Sequence, residues 1–404
     1  MPNTSSKTSE STRATPKRTR YDIARAAADR AQAFGEDPSG ASAVVGFDGF
    51  IDSIIHLVSQ RNTMQLDDFV RIDTIPGFAS RVGAAAGKSS NIELVVREQR
   101  FGGNGPLMAG ALGRLGVGVT YIGAIGQEDA PETLSPIYEP FAEWCEKVLP
   151  IAAPGHTDAL EFEDGKVMLG KPQNIQHVTW ERIKEAVGLG VFISMVDGAK
   201  LLGVVNWVMM SGVDGIWQGL IDEVLPKIEP ARRPRIFIDL CDPAKRTDAD
   251  LLAALDLLKR LNTLTPVTLG LNLAESQRVA AVAGAEPFDD SHNTTMGSAV
   301  RKTARSIQQT LGLDTVVVHP RQGAAAANAD ESAWFEGPFT SSPKLSTGAG
   351  DHFNGGFSFG QIAGMPLDEC LAIGTGVSGA YVRDAVSPAL DRLVGFLRDL
   401  PEPE

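Results

Sequence analysis

Several features that would point to other classes of protein are scarce in this chain of 404 residues. Its three cysteines, Cys145, Cys241 and Cys370, lie far apart without a CxxC spacing, which gives neither a disulfide framework nor a zinc site and favours a reducing compartment. Basic residues are outnumbered, and the net charge of -13 argues against a nucleic-acid partner. A phosphorylated small molecule stays compatible, because such a site needs only local donors.

Long apolar runs are also missing. No run approaches the roughly 18 residues needed to span a bilayer, and the first residues contain no secretory apolar core. We therefore expect a cytoplasmic protein with no membrane partner. With 43% hydrophobic and 22% charged residues, the chain can still bury a large core.

The order of patterns along the chain predicts an α/β fold. Residues 1–20, rich in Ser, Thr, Lys and Arg, are predicted to be a disordered tail, and Tyr21–Phe34 a short amphipathic helix. From residue 21 to 404, alternating strand and helix patterns predict a single domain with a mostly parallel central sheet flanked by helices. The strand patterns are the short apolar run that begins the segment Ala41–Phe50, and Val117–Ile122, Val204–Met210, Arg235–Leu240, Val267–Leu271 and Thr315–His319.

Two other segments have the alternation of half-exposed strands. Asn91–Phe101 alternates apolar and polar residues, and Asp164-Gly165 separates two short alternating runs, which predicts a hairpin. Together they predict a small β-sheet lid, with strands from about residues 60–101 and 156–172, that leaves one face free to cover a ligand. Exposed lid strands can also pair between subunits, which leaves a homodimer through the lid as one possibility.

The segment Gly348-Ala349-Gly350-Asp351 has the pattern of a tight glycine turn that opens a helix. The first amides of a helix lack internal partners and carry the positive end of its dipole, so they form a site for an anion. A carboxylate at that position can accept a proton from a hydroxyl beside a bound phosphate. The alternative is an ordinary strand-to-helix turn with an acidic first-turn residue.

Polar residues also follow several predicted strands. Asp48 and Asp52 come after the first strand and are either acceptors of ligand hydroxyls or a turn and a helix cap. Asn272 and Glu275 either form a capping box or face nucleotide phosphates and Mg²⁺. The loop from Asp239 to Arg246 offers acids and bases, or is a solvated loop.

One apparent phosphate-binding loop is excluded. Gly83–Ser89, GAAAGKS, has three residues instead of four between its glycine and the Gly-Lys pair, and no buried strand precedes it. A dinucleotide-binding oxidoreductase is also excluded, because no GxGxxG follows the first strand.

The order of the remaining motifs resembles the ribokinase-like, or PfkB, family of carbohydrate and nucleoside kinases. A Gly-Gly loop opens a helix, lid-like strands follow, and an NxxE segment precedes the late GAGD helix. The likeness extends from about residue 41 to the final helices. It implies a ribokinase-like fold with a β lid, and transfer of the γ-phosphoryl group of ATP, supported by Mg²⁺, to a hydroxyl of a sugar or polyol.

The resemblance also implies a role for each matched residue. Asp351 is the base, and the amides of Ala349, Gly350 and Asp351, in the turn that Gly348 opens, stabilise the transition-state charge. Asn272 and Glu275 support Mg²⁺, through water, and the phosphates. The other matches are Gly102, Gly103 and Asn104 with Asp48 or Asp52 for the acceptor, and His319, Arg321, Gly323 and Thr347 for the nucleotide.

The chain departs from the family pattern mainly in binding residues. Leu345-Ser346-Thr347 replaces the Asp-Thr used by some members for a monovalent cation, Leu107 stands at a family Asn, and His319-Pro320 replaces Thr and a small apolar residue. A sugar acceptor is favoured over a nucleoside, because early acids suit hydroxyls and few aromatic residues lie near the acceptor loop. The alternatives are a nucleoside kinase and a non-catalytic ligand-binding or regulatory protein of the same fold.

Overall fold

The computed structural model describes residues 18–289 and 294–404, and its elements are numbered in chain order. The strands are β1 (Ser42–Phe47), β2 (Phe50–Arg61), β3 (Phe69–Arg71), β4 (Leu94–Gly102), β5 (Gly118–Gly123), β6 (Lys147–Pro150), β7 (Gly155–Phe162), β8 (Gly165–Lys171), β9 (Leu201–Val205), β10 (Arg235–Asp239), β11 (Val267–Leu271), β12 (Thr315–Val318), β13 (Gly323–Ala327) and β14 (Ser332–Glu336). The helices are α1 (Arg20–Glu36), α2 (Ile75–Gly83), α3 (Asn104–Arg114), α4 (Glu139–Ala142), α5 (Trp180–Ala186), α6 (Leu189–Val196), α7 (Val213–Gly219), α8 (Asp248–Asn262), α9 (Leu273–Ala283), α10 (Met296–Leu311), α11 (Ala349–Ile362), α12 (Leu367–Asp384) and α13 (Leu390–Arg398).

The main sheet has nine strands in the order β14-β13-β12-β11-β10-β9-β1-β5-β6. In this order, all neighbouring strands from β12 through β11, β10, β9, β1 and β5 to β6 pair in parallel. The pairs β12–β13 and β13–β14 are antiparallel. Every residue of β9 and of β11 is buried, as expected for parallel strands with helices on both faces. The mostly parallel sheet predicted from the sequence is confirmed.

Helices cover both faces of this sheet. Residues of α1, α3, α11, α12 and α13 share one apolar core, and residues of α5 to α10 share the other. The buried residues of α1 are all alanines, which allow the helix to lie close to its neighbours. They are Ala24, Ala27, Ala28 and Ala31.

The predicted N-terminal helix is present, slightly longer than expected. The predicted tail lies mostly outside the described residues, which begin at residue 18. Its last part is ordered, because Arg18 forms ion pairs with Asp368 and Glu369 and the helix begins at Arg20.

A smaller sheet forms the lid. Its strands run in the order β3-β2-β7-β8, and β4 also pairs with β2. The hairpin predicted at Asp164-Gly165 is confirmed, since β7 and β8 pair antiparallel from Phe162 and Gly165 outward. One face has a small core of its own, over which Phe78 of α2 packs; its buried members are Ile55, Leu57, Ile72, Leu160 and Phe162.

Two predicted boundaries are wrong. The lid begins at Phe50, in the strand to which both β4 and β7 pair, and not near residue 60. The start of β2 has no period-two pattern, because Ile51 and Asp52 are both half-buried between the buried Phe50 and Ser53. The strand predicted at Val204–Met210 is β9, and it ends earlier because Asn206 adopts a φ of 63°.

This topology collects polar residues at one edge of the main sheet. Because β1, β9, β10, β11 and β12 are parallel, their carboxyl ends lie along the same edge. The residues at or just after those ends are Asp48, Asn206, Asp239, Asn272 and His319. No helix among the described residues is long and apolar enough to cross a membrane.

Candidate active site

Helix α11 opens at this edge with a glycine turn. Gly348 has a φ of 84°, a conformation that favours glycine, and it caps the helix without a side-chain hydrogen bond. The amide of Ala349 donates to the Ser346 carbonyl at 3.2 Å. Within the described part of the chain, the amides of Gly350 and Asp351 donate to no protein acceptor. The turn therefore offers two free donors at the positive end of a helix.

Asp351 lies half-buried in the first turn of this helix. Its pKa is raised well above the usual range, first by burial and then by the carboxylates of Asp239 and Asp48. A hydrogen bond from the Asn104 side chain opposes that rise. A carboxylate with a raised pKa is a stronger base than an exposed aspartate, which suits acceptance of a hydroxyl proton near neutral pH.

Helix α3 opens at the same cleft with Gly103, whose φ is 104°. Here a carboxylate of the protein itself binds the first amides of the helix. The Asp48 carboxylate accepts hydrogen bonds from the amides of Asn104 at 2.9 Å and Gly105 at 2.7 Å, and from the Asn206 side chain at 2.6 Å. Asp48 is fully buried, and burial raises its pKa to about 6 despite these three donors.

Asp52 occupies a different position from Asp48. It lies on β2, paired with Arg100 of β4, and is half-buried. One of its carboxylate oxygens lies 2.4 Å from the point where a Cβ on Gly102 would stand, so the missing side chain of Gly102 makes room for it. Burial raises the pKa of Asp52, and a hydrogen bond from Thr157 opposes that rise. Burial raises the pKa of Tyr381, and the nearby charges of Asp351 and Asp52 add to that rise.

Asn272 and Glu275 form the capping box at the start of α9. The Glu275 carboxylate accepts from the Asn272 amide at 2.7 Å and from its side chain at 2.6 Å, and the Asn272 oxygen accepts from the Glu275 amide at 3.0 Å. Burial and the nearby charges of Asp239 and Asp242 raise the pKa of Glu275 to about 9. The capping box, which the sequence left as the alternative to a ligand contact, is thus present. The pair also lies beside other carboxylates at the edge of the sheet where the parallel strands end.

Two further residues at the centre of the site, Asn206 and Asn354, lack a strong sequence signal. The side chain of Asn354, on α11, donates to the Asp239 carboxylate at 2.5 Å, and the Cys241 amide donates to the other oxygen at 2.6 Å. Burial raises the pKa of Asp239. Asn206 and Asn354 are predictable only as polar residues near a strand end and inside a helix, because their partners are far away in sequence.

A cavity of about 360 Å³ lies beside the start of α11. The predicted residues His319, Arg321 and Gly323 line it, as do Asn272, Ala349 and Gly350. The Arg321 guanidinium lies 5.3 Å from the centre of the Phe339 ring. Burial lowers the pKa of His319 to about 4, so its ring is neutral. Thr347 does not line the cavity, whereas its neighbour Ser346 does.

Comparison with known proteins identifies the family. The family model described as prokaryotic ketohexokinase matches residues 20–400. The chain belongs to the prokaryotic ketohexokinase family. A ketohexokinase of Haloferax volcanii is 29% identical over 377 residues, which cover 92% of this chain and 95% of the relative.

Solved structures support the fold. A ribokinase of Thermotoga maritima is similar with a TM-score of 0.57 and 17% identity, over 89% of this chain and 99% of that one. A ribokinase of Cryptococcus neoformans in complex with ADP has a TM-score of 0.56 and 15% identity, over 89% and 98%. The ribokinase-like fold is therefore confirmed, and membership of the ketohexokinase family makes the chain a carbohydrate kinase, a phosphotransferase that acts on a sugar.

Proposed function

We propose that this kinase transfers the γ-phosphoryl group of ATP to a hydroxyl of a ketohexose, with Asp351 as the general base. The observation that carries this proposal is the start of α11, where a carboxylate and two unpaired amides occupy one helical turn. Phosphoryl transfer requires mainly positioning and charge stabilisation, and a helix start with free donors can provide both. The family's description and the relative from Haloferax volcanii supply the sugar class.

The cavity beside α11 is the proposed nucleotide site. Its residues His319, Arg321 and Gly323 follow β12 at the edge of the sheet, and Gly350 brings the cavity to the helix start. A nucleotide bound there would place its terminal phosphate near the amides of Gly350 and Asp351. The ADP complex of the related fold supports a nucleotide as the occupant.

The proposed acceptor site lies between the lid and α3. We assign the hydroxyl contact to Asp52, because the carboxylate of Asp48 is buried and bound to the first amides of α3. Gly102 and Gly103 keep the adjoining loop free of side chains, and the neighbouring Asn104 side chain opposes the rise in the pKa of Asp351. The lid would close over the sugar and exclude water, which would otherwise accept the phosphoryl group.

In the proposed reaction Asp351 takes the proton of the attacking hydroxyl. The sugar oxygen forms a bond to the γ-phosphorus as the bond from that phosphorus to the bridging oxygen of ADP breaks, and ADP leaves. The Gly350 and Asp351 amides donate to the charged oxygens of the transferring group. A positioned base typically contributes about 10²- to 10⁴-fold, and one such donor a comparable factor.

Glu275 and Asn272 are the proposed supports of Mg²⁺, through water. Their oxygens are hard ligands of the kind that Mg²⁺ prefers, and the neighbouring carboxylates make this edge negative. In the described ranges, no group of three acidic, His or Cys side chains is arranged to hold a metal ion. When bound, Mg²⁺ neutralises charge on the phosphates.

The test is ADP release from ATP and Mg²⁺ with fructose, tagatose, psicose and sorbose, beside aldohexoses and nucleosides. Turnover with a ketohexose, lost in Asp351→Asn, would support both the acceptor class and the base. Asp391→Asn is the matched control, since Asp391 is also a first-turn acid but lies in α13. Turnover only with aldohexoses or nucleosides would reject the acceptor class, and full turnover by Asp351→Asn would reject the base.

We also propose that the lid can form a homodimer. Its edge strands β4 and β8 expose apolar side chains, with Val96 51% exposed and Leu169 48% exposed. Unpaired edges of this kind can pair with a second copy. Sedimentation that shows only monomer at high protein concentration would reject this part of the proposal.

A further inference from the structure

Three consecutive backbone carbonyls at the start of α11 each accept a hydrogen bond from a side chain. Tyr381 donates its hydroxyl to the Thr347 carbonyl at 2.9 Å. His352 donates its Nδ1–H to the Gly348 carbonyl at 2.7 Å, and Ser378 donates to the Ala349 carbonyl at 2.9 Å. A run of three fixed carbonyls is not required by helix formation, because the helix's own amides reach its carbonyls later in the turn.

These contacts fix the orientation of backbone amides as well as of the carbonyls. In a planar trans peptide the C=O and N–H bonds point in opposite directions, so a fixed carbonyl also fixes the amide of the next residue. The amides set in this way belong to Gly348, Ala349 and Gly350. The second closes the turn on Ser346, and the third is one of the two unpaired donors.

The donors are themselves held in place. The His352 ring stacks on the Tyr381 ring, with centres 3.5 Å apart and planes 13° apart. The Nδ1 of His352 faces the Gly348 carbonyl, which can only accept, so the proton of the neutral ring is on Nδ1. The Ser387 hydroxyl therefore donates to Nε2, at 2.6 Å. Burial lowers the pKa of His352 to about 4, in agreement with a neutral ring.

Close helix packing makes the arrangement possible. Tyr381 and Ser378 lie three residues apart on α12, hence on one face of it. A Cβ on Gly356 would stand 3.0 Å from the Cα of Gly374, so the two glycines let α11 and α12 approach closely. At that separation even the short side chain of Ser378 reaches the backbone of α11.

We propose that His352, Tyr381 and Ser378 are positioning residues that preset the amides of the GAGD turn for the transferring phosphoryl group. This inference rests on the proposed function, since it assigns that group to the start of α11. Free donors stabilise developing charge most when they need no reorientation during the reaction. The three side chains supply that rigidity to a turn that begins with a glycine.

The test uses His352→Phe, Tyr381→Phe and Ser378→Ala, each of which removes a donor and keeps most of the packing. Removal of a whole oxyanion-hole donor costs about 10²- to 10³-fold, and a donor that is only less well oriented should cost less, so we expect kcat to fall about tenfold in each variant. KM for the ketohexose and for ATP should stay within about twofold, because the loss arises in the transition state. His352→Gln, which retains a donor, should recover most of kcat.

Ser358→Ala is the matched control. Ser358 is a fully buried residue of α11 whose hydroxyl has no hydrogen-bond partner within the described structure, so its removal should leave kcat unchanged. A uniform rise in both KM values, or an equal loss of kcat in Ser358→Ala, would reject the positioning role in favour of general destabilisation.

A binding measurement separates this inference from the choice of sugar. Affinity for ADP, Mg²⁺ and tetrafluoroaluminate, a mimic of the transferring group, should fall in the three variants by the same factor as kcat, while affinity for ADP alone stays unchanged. If wild type binds this mimic but phosphorylates no ketohexose, the acceptor assignment fails and the variants still test the positioning role. Equal binding of the mimic by wild type and all variants would overturn the inference, as would its failure to bind wild type.

Discussion

Helices α3 and α11 face the same cleft and start alike, but their first amides have different partners. Each starts after a glycine with positive φ, Gly103 at 104° and Gly348 at 84°. In α3 the Asp48 carboxylate binds the first amides, at 2.7 and 2.9 Å. In α11 two amides lack a protein acceptor among the described residues.

The difference shows which helix start is available to a ligand. Any helix start attracts negative charge, so the glycine turn by itself does not distinguish structure from binding. At α3 the anion is internal, and it ties the helix to β1 and, through Asn206, to β9. At α11 the nearest carboxylate, Asp351, lies in the turn itself and has a raised pKa. A ligand anion should therefore bind at α11, while α3 shapes the loop that we propose binds the acceptor.

The largest expected effect is on catalysis at α11. Asp351→Asn should lower kcat by about 10²- to 10⁴-fold, the usual contribution of a general base. It should not lower the free energy of unfolding, because the asparagine removes a carboxylate whose ionised form is disfavoured by burial and by neighbouring charges. Steady-state kinetics and urea unfolding on the same preparation measure both; a large loss of stability would show that Asp351 is structural, as Asp48 is.

The corresponding change at α3 should act on stability. Asp48→Ala leaves two amides and the Asn206 side chain without an acceptor, at about 1 to 3 kcal/mol each, and the removal of a buried charge offsets part of this. We expect a net loss of about 2 to 4 kcal/mol in the free energy of unfolding, measured by urea denaturation. Asp37→Asn, at an exposed turn, should change it by no more than about 0.5 kcal/mol.

Asp48 should also give stability a pH dependence. Its pKa is about 6 in the folded protein against 3.8 ordinarily, so the folded state binds the proton more tightly. Its contribution to stability is therefore fully present below about pH 4 and is lost as the pH rises through about 6, by up to about 3 kcal/mol. Asp48→Asn lacks this group, so the stability of wild type relative to the variant should fall between pH 4 and 7. A difference independent of pH would contradict the burial of an ionised Asp48.

The smallest expected effect is a difference in stability loss between alanine substitutions at the two helix-start glycines, Gly103 and Gly348. In Gly103→Ala the new Cβ would stand 3.0 Å from the Cα of Gly49 and 3.2 Å from the Phe50 amide, neither of which can move easily. In Gly348→Ala the nearest atom is the end of the Leu107 side chain, which can rotate away. Besides the strain of positive φ, about 1 to 2 kcal/mol at both sites, we expect about 1 kcal/mol more for Gly103→Ala. Thermal unfolding of both variants measures this, and an equal loss would show that backbone contact at Gly103 is unimportant.

Much of the fold follows from local sequence patterns. The strands at Val267–Leu271 and Arg235–Asp239 are short buried runs bounded by polar residues, and α10 has an uninterrupted helical period, so each is predictable. The start of β2 is not, because its first four residues do not alternate in burial and most of its pairing partners are distant in sequence. For the same reason the lid's first boundary is missed.

The candidate site likewise has parts that follow from local sequence and parts that depend on contacts between distant residues. The GAGD and NxxE motifs are contiguous, and their local geometry, a glycine turn and a capping box, forms from residues within a few positions of one another. The choice between Asp48 and Asp52 stays open in the sequence, since both acids follow one strand. It depends on burial against α3 and on pairing with β4, which are long-range contacts. The Ala349 amide, predicted to be free, closes the turn instead.

The sequence by itself determined the α/β class, the family resemblance and the turn that bears Asp351, because these depend on short-range periodicity and on the backbone freedom of glycine. Only the tertiary structure decided that Asp48 binds the start of α3 and that the start of α11 keeps free amides. It also decided which side chains bind the carbonyls at the start of α11. Burial, the proximity of like charges and hydrogen bonds between distant residues arise only when the chain is folded. The local motif therefore indicates the type of chemistry, and the packing of α3 and α12 around it determines which of its groups can take part.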